Sequence, residues 1–236
     1  MTGPPEDEAD VVGAADVVAI VPLRSDSTAT SLTIHGRSIV GRTIEALRAV
    51  PRIRAIALAL DGPPPDDLIQ AIDGTDGPHG SRVLRSNPTR GRWPAILAAL
   101  QLAPDSRSVL VQEPDRPLVS AAAITELLDR PIGPKGLVVA SPVVSTIKRV
   151  VAGRVVGTVP RQDFHVEQGQ RLFPRRAFED ALRRAVAEHW DAPTESELAG
   201  RAGIPLEIVA GQALDVPVSS QADARFAELA IERGLA

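Results

Sequence analysis

The chain is most constrained by its continuous apolar, β-branched runs, which are spaced by segments of helical periodicity. Val17-Val18-Ala19-Ile20-Val21-Pro22-Leu23 carries no polar side chain. A strand with one wet face alternates; a strand without alternation is covered on both faces, as in a parallel sheet between helices. Ile53–Leu60, Val109-Leu110-Val111 and Leu137–Ala140 read the same way, and Arg82-Val83-Leu84 as a brief strand. Between them, Ser38 has N-cap chemistry ahead of Ile39, Val40, Thr43, Ile44 and Leu47, which share one helical face until Pro51. Further helices are predicted over Asp66–Ile72, from about Pro94 to Leu102, and from the Ser120 cap to Leu128. This alternation predicts a three-layer α/β sandwich around a mostly parallel, Rossmann-like sheet. Ligands of such sheets bind beyond the carboxyl ends of the strands, so the loops after Leu23, Leu60 and Val111 are where a site is expected.

The second half departs from that rhythm. Thr146–Val151 and Arg154–Val159 flank Ala152-Gly153 and predict a β-hairpin with no helix after it to cover it. It is expected to project as an arm at about residues 143–165 and to pair with something. Helices follow over Pro174–Glu188, Thr194–Ala202 and Gln221–Glu232, with short strands at Leu206–Val209 and Val216–Val218. No second-domain boundary appears, so residues 17–236 are expected to form one domain. Met1–Asp16 holds five acids and no base, which predicts a solvated, disordered tail and no secretory leader.

Composition excludes several classes. The absence of cysteine removes disulfides, thiolate metal sites and cysteine nucleophiles together. A formal charge of −4, from 26 basic and 30 acidic residues, argues against a broad nucleic-acid surface. No apolar stretch is long enough to span a membrane, and a cytoplasmic location is expected. His35, His79, His165 and His189 are too scattered for a metal site. Trp93 and Trp190 read as core or helix-face residues.

Three segments carry a resemblance. Val109-Leu110-Val111-Gln112-Glu113-Pro114-Asp115-Arg116-Pro117 resembles the Val-His-Asp-Ala-Ala-Arg-Pro turn of the 2-C-methyl-D-erythritol 4-phosphate cytidylyltransferases. Ala140–Arg149 resembles the start of that family's β-arm, and Val218–Asp223 a segment near its end. The resemblance spans about Val17 to Ile231. It implies a nucleotide-binding sandwich that joins cytidine monophosphate from CTP to methylerythritol phosphate, releases pyrophosphate, and forms homodimers through embracing arms. It also assigns roles. Pro22, Leu23, Arg24 and Ser25 stand at the triphosphate loop, with Arg92 on the nucleotide side. Glu113 replaces the family's aspartate, as the ligand for Mg²⁺ if the chain is active. Arg116 matches the arginine that holds the acceptor phosphate, and Thr146 and Arg161 match arm residues that reach the partner's acceptor.

The departures are selective. The loop from Pro22 to Leu32 has no glycine, although backbone amides must approach the phosphates there. Asp26 would repel phosphate, and Ala29 stands where the family carries a catalytic lysine. Asp215-Val216-Pro217-Val218-Ser219 stands at the family's Asn-Ile-Lys-Val-Thr, with proline in place of the second lysine. Asp115 is an added acid beside Arg116. Three readings follow. One is a transferase with a rebuilt loop that uses Arg24, Arg90 and Arg92 as cations. Another is a non-catalytic relative that binds a small phosphorylated molecule or a partner through its arm. The third is a transferase with a changed donor or acceptor. The plain alternative for each arginine is a solvated surface charge.

Overall fold

The computed structural model describes residues 17–27, 29, 31–64, 66, 68, 79 and 81–235. The expected acidic tail, the helix predicted at Asp66–Ile72 apart from Asp66 and Leu68, and most of the loop after it lie outside the described residues. Seven strands form one sheet: β1 (Val17–Arg24), β4 (Ile53–Asp61), β5 (Arg82–Arg85), β6 (Ser108–Gln112), β7 (Gly136–Pro142), β10 (His165–Pro174) and β11 (Leu206–Ala210). Their spatial order is β11-β7-β10-β6-β1-β4-β5. All neighbours run parallel except β10, which is antiparallel to both β6 and β7. The expected fold class is therefore found, with one antiparallel strand at its centre. That strand, His165–Pro174, is not among the strands expected from sequence. Conversely, Val216–Val218 is not a strand; it is extended coil tied by the Val218 amide to the Asp115 carbonyl at 2.9 Å.

Helices cover both faces, and side-chain alternation assigns each strand residue to a face. Val17, Ala19, Val21 and Leu23 of β1 point to one core with Ile56, Leu58 and Leu60 of β4. That core is closed by α1 (Ile39–Arg48), α3 (Ala121–Leu128) and α6 (Gln221–Glu232). Val18 and Ile20 point the other way, with Ala55, Ala57 and Ala59, under α2 (Arg92–Leu102), α4 (Arg175–Ala187) and α5 (Glu195–Ala202). The three alanines of β4 leave room on this face for α2, which brings in Trp93. Phe173 of β10 and Phe178 of α4 stack at 4.4 Å between centroids with rings 3° from parallel. Both rings are fully buried, so truncating either costs about 3–5 kcal/mol.

Local chemistry sets the helix ends. Ser38, Ser120, Thr194 and Ser220 each accept an N-cap hydrogen bond from the third residue beyond. α2 begins two residues before the expected Pro94, because proline is tolerated in a first turn, where no intrahelical donor is needed.

Two small hairpins complete the chain. β2 (Thr33–Ile34) and β3 (Arg37–Ser38) pair around His35 and Gly36, at φ 48° and 71°. The arm pairs β8 (Ile147–Val151) with β9 (Arg154–Val159) around Ala152 and Gly153, at φ 47° and 77°. Positive φ at both central residues is the turn that matches strand twist. The arm is a separate two-stranded sheet springing from the paired ends of β7 and β10, as expected from sequence.

Candidate active site at the strand ends

The carboxyl ends of β1, β4 and β6 place Arg24, Asp61 and Gln112-Glu113 along one edge of the sheet. The loops there are sewn to each other by backbone. The Ser25 amide donates to the Asp61 carbonyl at 3.2 Å, and Gly62 and Thr89 amides bond across to Thr89 and Leu60 carbonyls at 2.9 Å each. The Asp61 carboxylate accepts from the Gly91 amide at 2.8 Å, directly before the first turn of α2. An internal carboxylate thus occupies a helix-start amide of the type that binds phosphate in nucleotide sites.

The segment that leaves β1 is part buried and part exposed. Pro22 and Leu23 are buried strand residues, and Ala29 is fully buried in the core with Leu32. A lysine at position 29 would put its ammonium into that core. Arg24 and Ser25 are exposed, and Arg24 donates through Nε and Nη2 to the two Asp26 oxygens at 3.1 and 2.9 Å. Asp26 holds Arg24 above its usual pKa, and Arg24 holds Asp26 below the usual carboxylate range, first through the side-chain hydrogen bonds and then through charge. Pro217, which the resemblance sets against the second lysine, is exposed.

Arg92 comes from the first turn of α2 and Glu113 from just past β6. They meet at 2.6 Å between Nη2 and Oε1. Arg92 is held on its other side by Glu195 of α5, at 2.7 Å from Nε and 3.1 Å from Nη2. Arg171, from the antiparallel β10, closes the cluster. Its Nη1 lies 3.1 Å from Glu113 Oε1 and 3.4 Å from Glu195 Oε2, and its Nη2 reaches Glu167 at 2.8 Å. The Glu195 side chain is 0% exposed and that of Arg171 6%. Burial alone would lower the Arg92 and Arg171 pKa values, but the Glu195 and Glu113 charges outweigh it and hold both above their usual value. Glu113 lies just past the end of β6 with Arg92 beside it, and each has charged partners within the chain.

That pairing bears on the expected metal. Both arginines contact the same Glu113 oxygen, and no group of three His, Asp or Glu side chains among the described residues is placed to hold an ion. Mg²⁺ takes near-octahedral oxygen ligands. Both arginines use Oε1, so Glu113 would offer an ion only its other oxygen, beside water and substrate phosphate, and no chemical step is derived through one.

Arg116 lies on the other side of β6. Its Nη1 donates to the Asp215 backbone carbonyl at 2.6 Å, and its Nε lies 3.6 Å from Asp115 Oδ1, beyond hydrogen-bond length. Gly169 of β10 allows this packing, because a Cβ there would come within 2.5 Å of the Arg116 side chain. Asp215 Oδ2 accepts from Gln170 Nε2 at 2.8 Å. Burial raises the pKa of both Asp115 and Asp215; Arg116 opposes this at both, and the Gln170 hydrogen bond opposes it at Asp215. Thr146 and Arg161 sit at the base of the arm, exposed, with Arg161 donating to the Val144 carbonyl.

The structure thus brings together Glu113, Arg92 and Arg116 around the end of β6 and leaves Thr146 and Arg161 on the arm. Sequence reasoning missed Arg171, Glu167, Glu195 and Asp215. Their only sequence signal is charge inside segments that the fold buries.

The family model for 2-C-methyl-D-erythritol 4-phosphate cytidylyltransferase (IspD) matches residues 19–233. The chain is 30% identical over 231 residues to the cytidylyltransferase of that name from Shewanella oneidensis, covering 94% of this chain and 91% of the relative. It is 29% identical over 229 residues to the one from Cronobacter sakazakii, covering 93% and 95%. The crystal structure of 4-diphosphocytidyl-2C-methyl-D-erythritol synthase from Anaerococcus prevotii superposes with a TM-score of 0.75 at 20% identity, over 94% of this chain and 100% of the other. That structural likeness bears on fold.

Proposed function

Because the chain belongs to the 2-C-methyl-D-erythritol 4-phosphate cytidylyltransferase family, we propose that it is a cytidylyltransferase homologue whose transfer from CTP to methylerythritol phosphate is lost or much reduced. In that reaction an acceptor phosphate oxygen attacks the α-phosphorus of CTP. The bond to the bridging oxygen breaks, and pyrophosphate leaves. Catalysis consists largely of positioning and of placing positive charge against the pentacovalent state. The observation that carries the reading is the Arg92 guanidinium held between Glu113 and Glu195. A cation already neutralised by two carboxylates has little field left for a triphosphate. Around the end of β6, three guanidinium groups (Arg92, Arg116 and Arg171) face five carboxylates (Glu113, Asp115, Glu167, Glu195 and Asp215). This balance disfavours gathering a triphosphate, a phosphate ester and the departing pyrophosphate.

The test is pyrophosphate release from CTP, Mg²⁺ and methylerythritol phosphate, with an authentic family enzyme as control. The expected outcome is no release above background at high protein concentration. Release that vanishes in Arg116→Ala and Glu113→Ala would overturn the proposal.

A second reading, pairing through the arm, rests on a separate observation. Val150, Val151, Val155 and Val156 of the hairpin are 54–63% exposed, a dense apolar display for so short an element. In this reading two copies embrace through their arms, and Thr146 and Arg161 face the partner. Sedimentation of the wild type as a dimer, and of Val150→Asp/Val155→Asp as a folded monomer, is the expected result.

A further inference from the structure

Arg171 has more carboxylates around it than a buried cation needs. Its Nε and Nη2 donate to Glu167 Oε2 at 3.0 and 2.8 Å. Its Nη1 donates to Glu113 Oε1 at 3.1 Å and lies 3.4 Å from Glu195 Oε2. One well-placed carboxylate neutralises a guanidinium. Three acids from three segments, converging on one point, are the arrangement that hard divalent cations call for. The backbone is shaped to produce it. Along β10, the four-residue step from Glu167 to Arg171 lies opposite only the two-residue step from Ala140 to Val138 of β7. The extra length is taken up as a bulge, which draws Glu167 back towards Arg171 on one face of the sheet. Glu195 is fixed from the other side, because Arg92 donates to both of its oxygens.

The guanidinium at the centre differs from the ion that such a cluster would otherwise take. It does not lose its proton, so its charge is permanent. It holds the oxygens 2.8–3.4 Å from its nitrogens, whereas Mg²⁺ draws oxygen ligands to about 2.1 Å. With the oxygens that far out, no three acids among the described residues are placed to hold an ion. Charge points the same way. Glu113, Glu167 and Glu195 against Arg92 and Arg171 are three against two, one net negative charge. Without Arg171 they are three against one, and the remaining two negative charges are what a single divalent cation neutralises. Space follows as well. The Arg171 side chain is 6% exposed, so shortening it opens a polar gap beside Glu113 and Glu167, both of which reach solvent and can close on an ion.

We propose that the Arg171 guanidinium is the resident cation of the Glu113–Glu167–Glu195 cluster and sets its ion selectivity. With Arg171 in place the cluster turns divalent cations away; without it the same carboxylates take one up. Arg171 acts through its charge and through its hold on Glu113. A phosphorylated ligand that needs a dication at this edge of the sheet must therefore bring it on its own phosphates. The inference does not rest on the loss of transfer, because ion exclusion is read with neither CTP nor acceptor present.

The experiment titrates the full-length protein with Mn²⁺ and follows the free ion by electron paramagnetic resonance. Wild type is expected to show no saturable site at millimolar Mn²⁺. Arg171→Gln, whose amide oxygen can join the ligands, is expected to bind one Mn²⁺ at least about tenfold tighter than wild type, from the loss of one like charge beside the ion. That gain should disappear when Glu113→Gln is added. Arg171→Lys keeps the charge and loses the fork, and it is expected to behave as wild type, a result that loosened packing alone would not give. Should Arg171→Gln fold poorly, the readout is refolding: recovery of helical circular dichroism on adding Mn²⁺, absent in Arg171→Gln/Glu113→Gln, carries the proposal, and no recovery overturns it. A saturable Mn²⁺ site in wild type that is lost in Glu113→Gln would also overturn it, as would equal affinity in wild type and Arg171→Gln, or the same gain in Arg171→Lys. Pyrophosphate release plays no part, so failure here leaves the loss of transfer standing.

Discussion

The two sides of β6 are built from the same materials, arginine and carboxylate, yet they are finished differently. On the side of Arg92 and Arg171, buried charge is answered by opposite charge at 2.6–3.4 Å, through Glu113, Glu167 and Glu195. On the side of Arg116, the nearest carboxylate stands off at 3.6 Å and buried oxygens lack donors. A closed ionic network fixes α2, α5 and β10 to one another and has no unmet demand. An open one leaves buried polar groups at a cost, which a single trapped water lifts. The difference teaches that charge count alone does not describe a site; how each buried polar group is answered does.

The hardest way to break this contrast is Glu195→Ala. It would leave two guanidinium groups sharing Glu113 and Glu167 in a site that admits little water. Removing one partner of a buried ion pair costs about 3–5 kcal/mol. Urea unfolding should show a loss of that size, and a loss below about 1 kcal/mol would mean that the network is solvated and the contrast false.

Ala29→Lys comes next. If the family's loop merely lacked its lysine, the substitution would be harmless and would restore pyrophosphate release. Because Ala29 is fully buried, it should instead destabilise by about 2–3 kcal/mol through overpacking and charge burial, without restoring release. Thermal unfolding and the release assay check the two halves separately.

These residues also show what could be read from the sequence and what could not. Val17–Leu23, Ile53–Leu60 and Val109–Val111 declare buried parallel strands, because hydrophobic burial dictates them locally. The central antiparallel strand does not. His165–Pro174 carries Glu167, Gln168, Gln170 and Arg171, and a pattern of apolar residues cannot recognise a buried strand whose charged and amide side chains are satisfied from elsewhere. Gln168 is met by Ser141 and Gln212, Gln170 by Asp215, and Arg171 by three glutamates from three segments. The arm was legible because its turn chemistry is local. In the candidate site, the resemblance points to Arg24, Arg92, Glu113 and Arg116; that Arg92 is held by Glu195 and Arg116 by the Asp215 carbonyl could not be read, because those partners lie about a hundred residues away and only the folded chain brings them near.

A smaller effect sharpens the Arg116 side through pH. Burial raises the pKa of Asp115 and Asp215 above the ordinary 3.8, so in the window between that value and the raised ones the folded chain binds more protons than the unfolded one. Stability then falls as pH rises through the window and returns on acidification. Asp26 and Asp223 act oppositely, at lower pH. Their pKa values are depressed, and their stabilisation is lost only as pH falls below the ordinary value; both are exposed and screened. Urea midpoints measured from about pH 4 to pH 7 should decline for wild type and flatten for Asp115→Asn/Asp215→Asn. A slope unchanged by the double variant would mean that the acids are not the source.

The smallest expected effect on stability is that of Asp26→Asn, and it separates the exposed pair from the buried network. Arg24 and Asp26 are 61% and 70% exposed, and pairs of that kind contribute little to folding. The unfolding midpoint should not move. Ligand binding should, because Arg24 is released to solvent at the end of β1 and one negative charge leaves the loop that the resemblance assigns to the triphosphate. Inorganic pyrophosphate, titrated by calorimetry, should bind a few-fold tighter to the variant, with the gain falling as salt is raised. It should stay modest, because Arg92 remains held by Glu113 and Glu195 in both proteins. A gain of a hundredfold would mean that the surface pair alone had closed the nucleotide side and that the buried network was never the obstacle. No gain at all would place the obstacle wholly in that network.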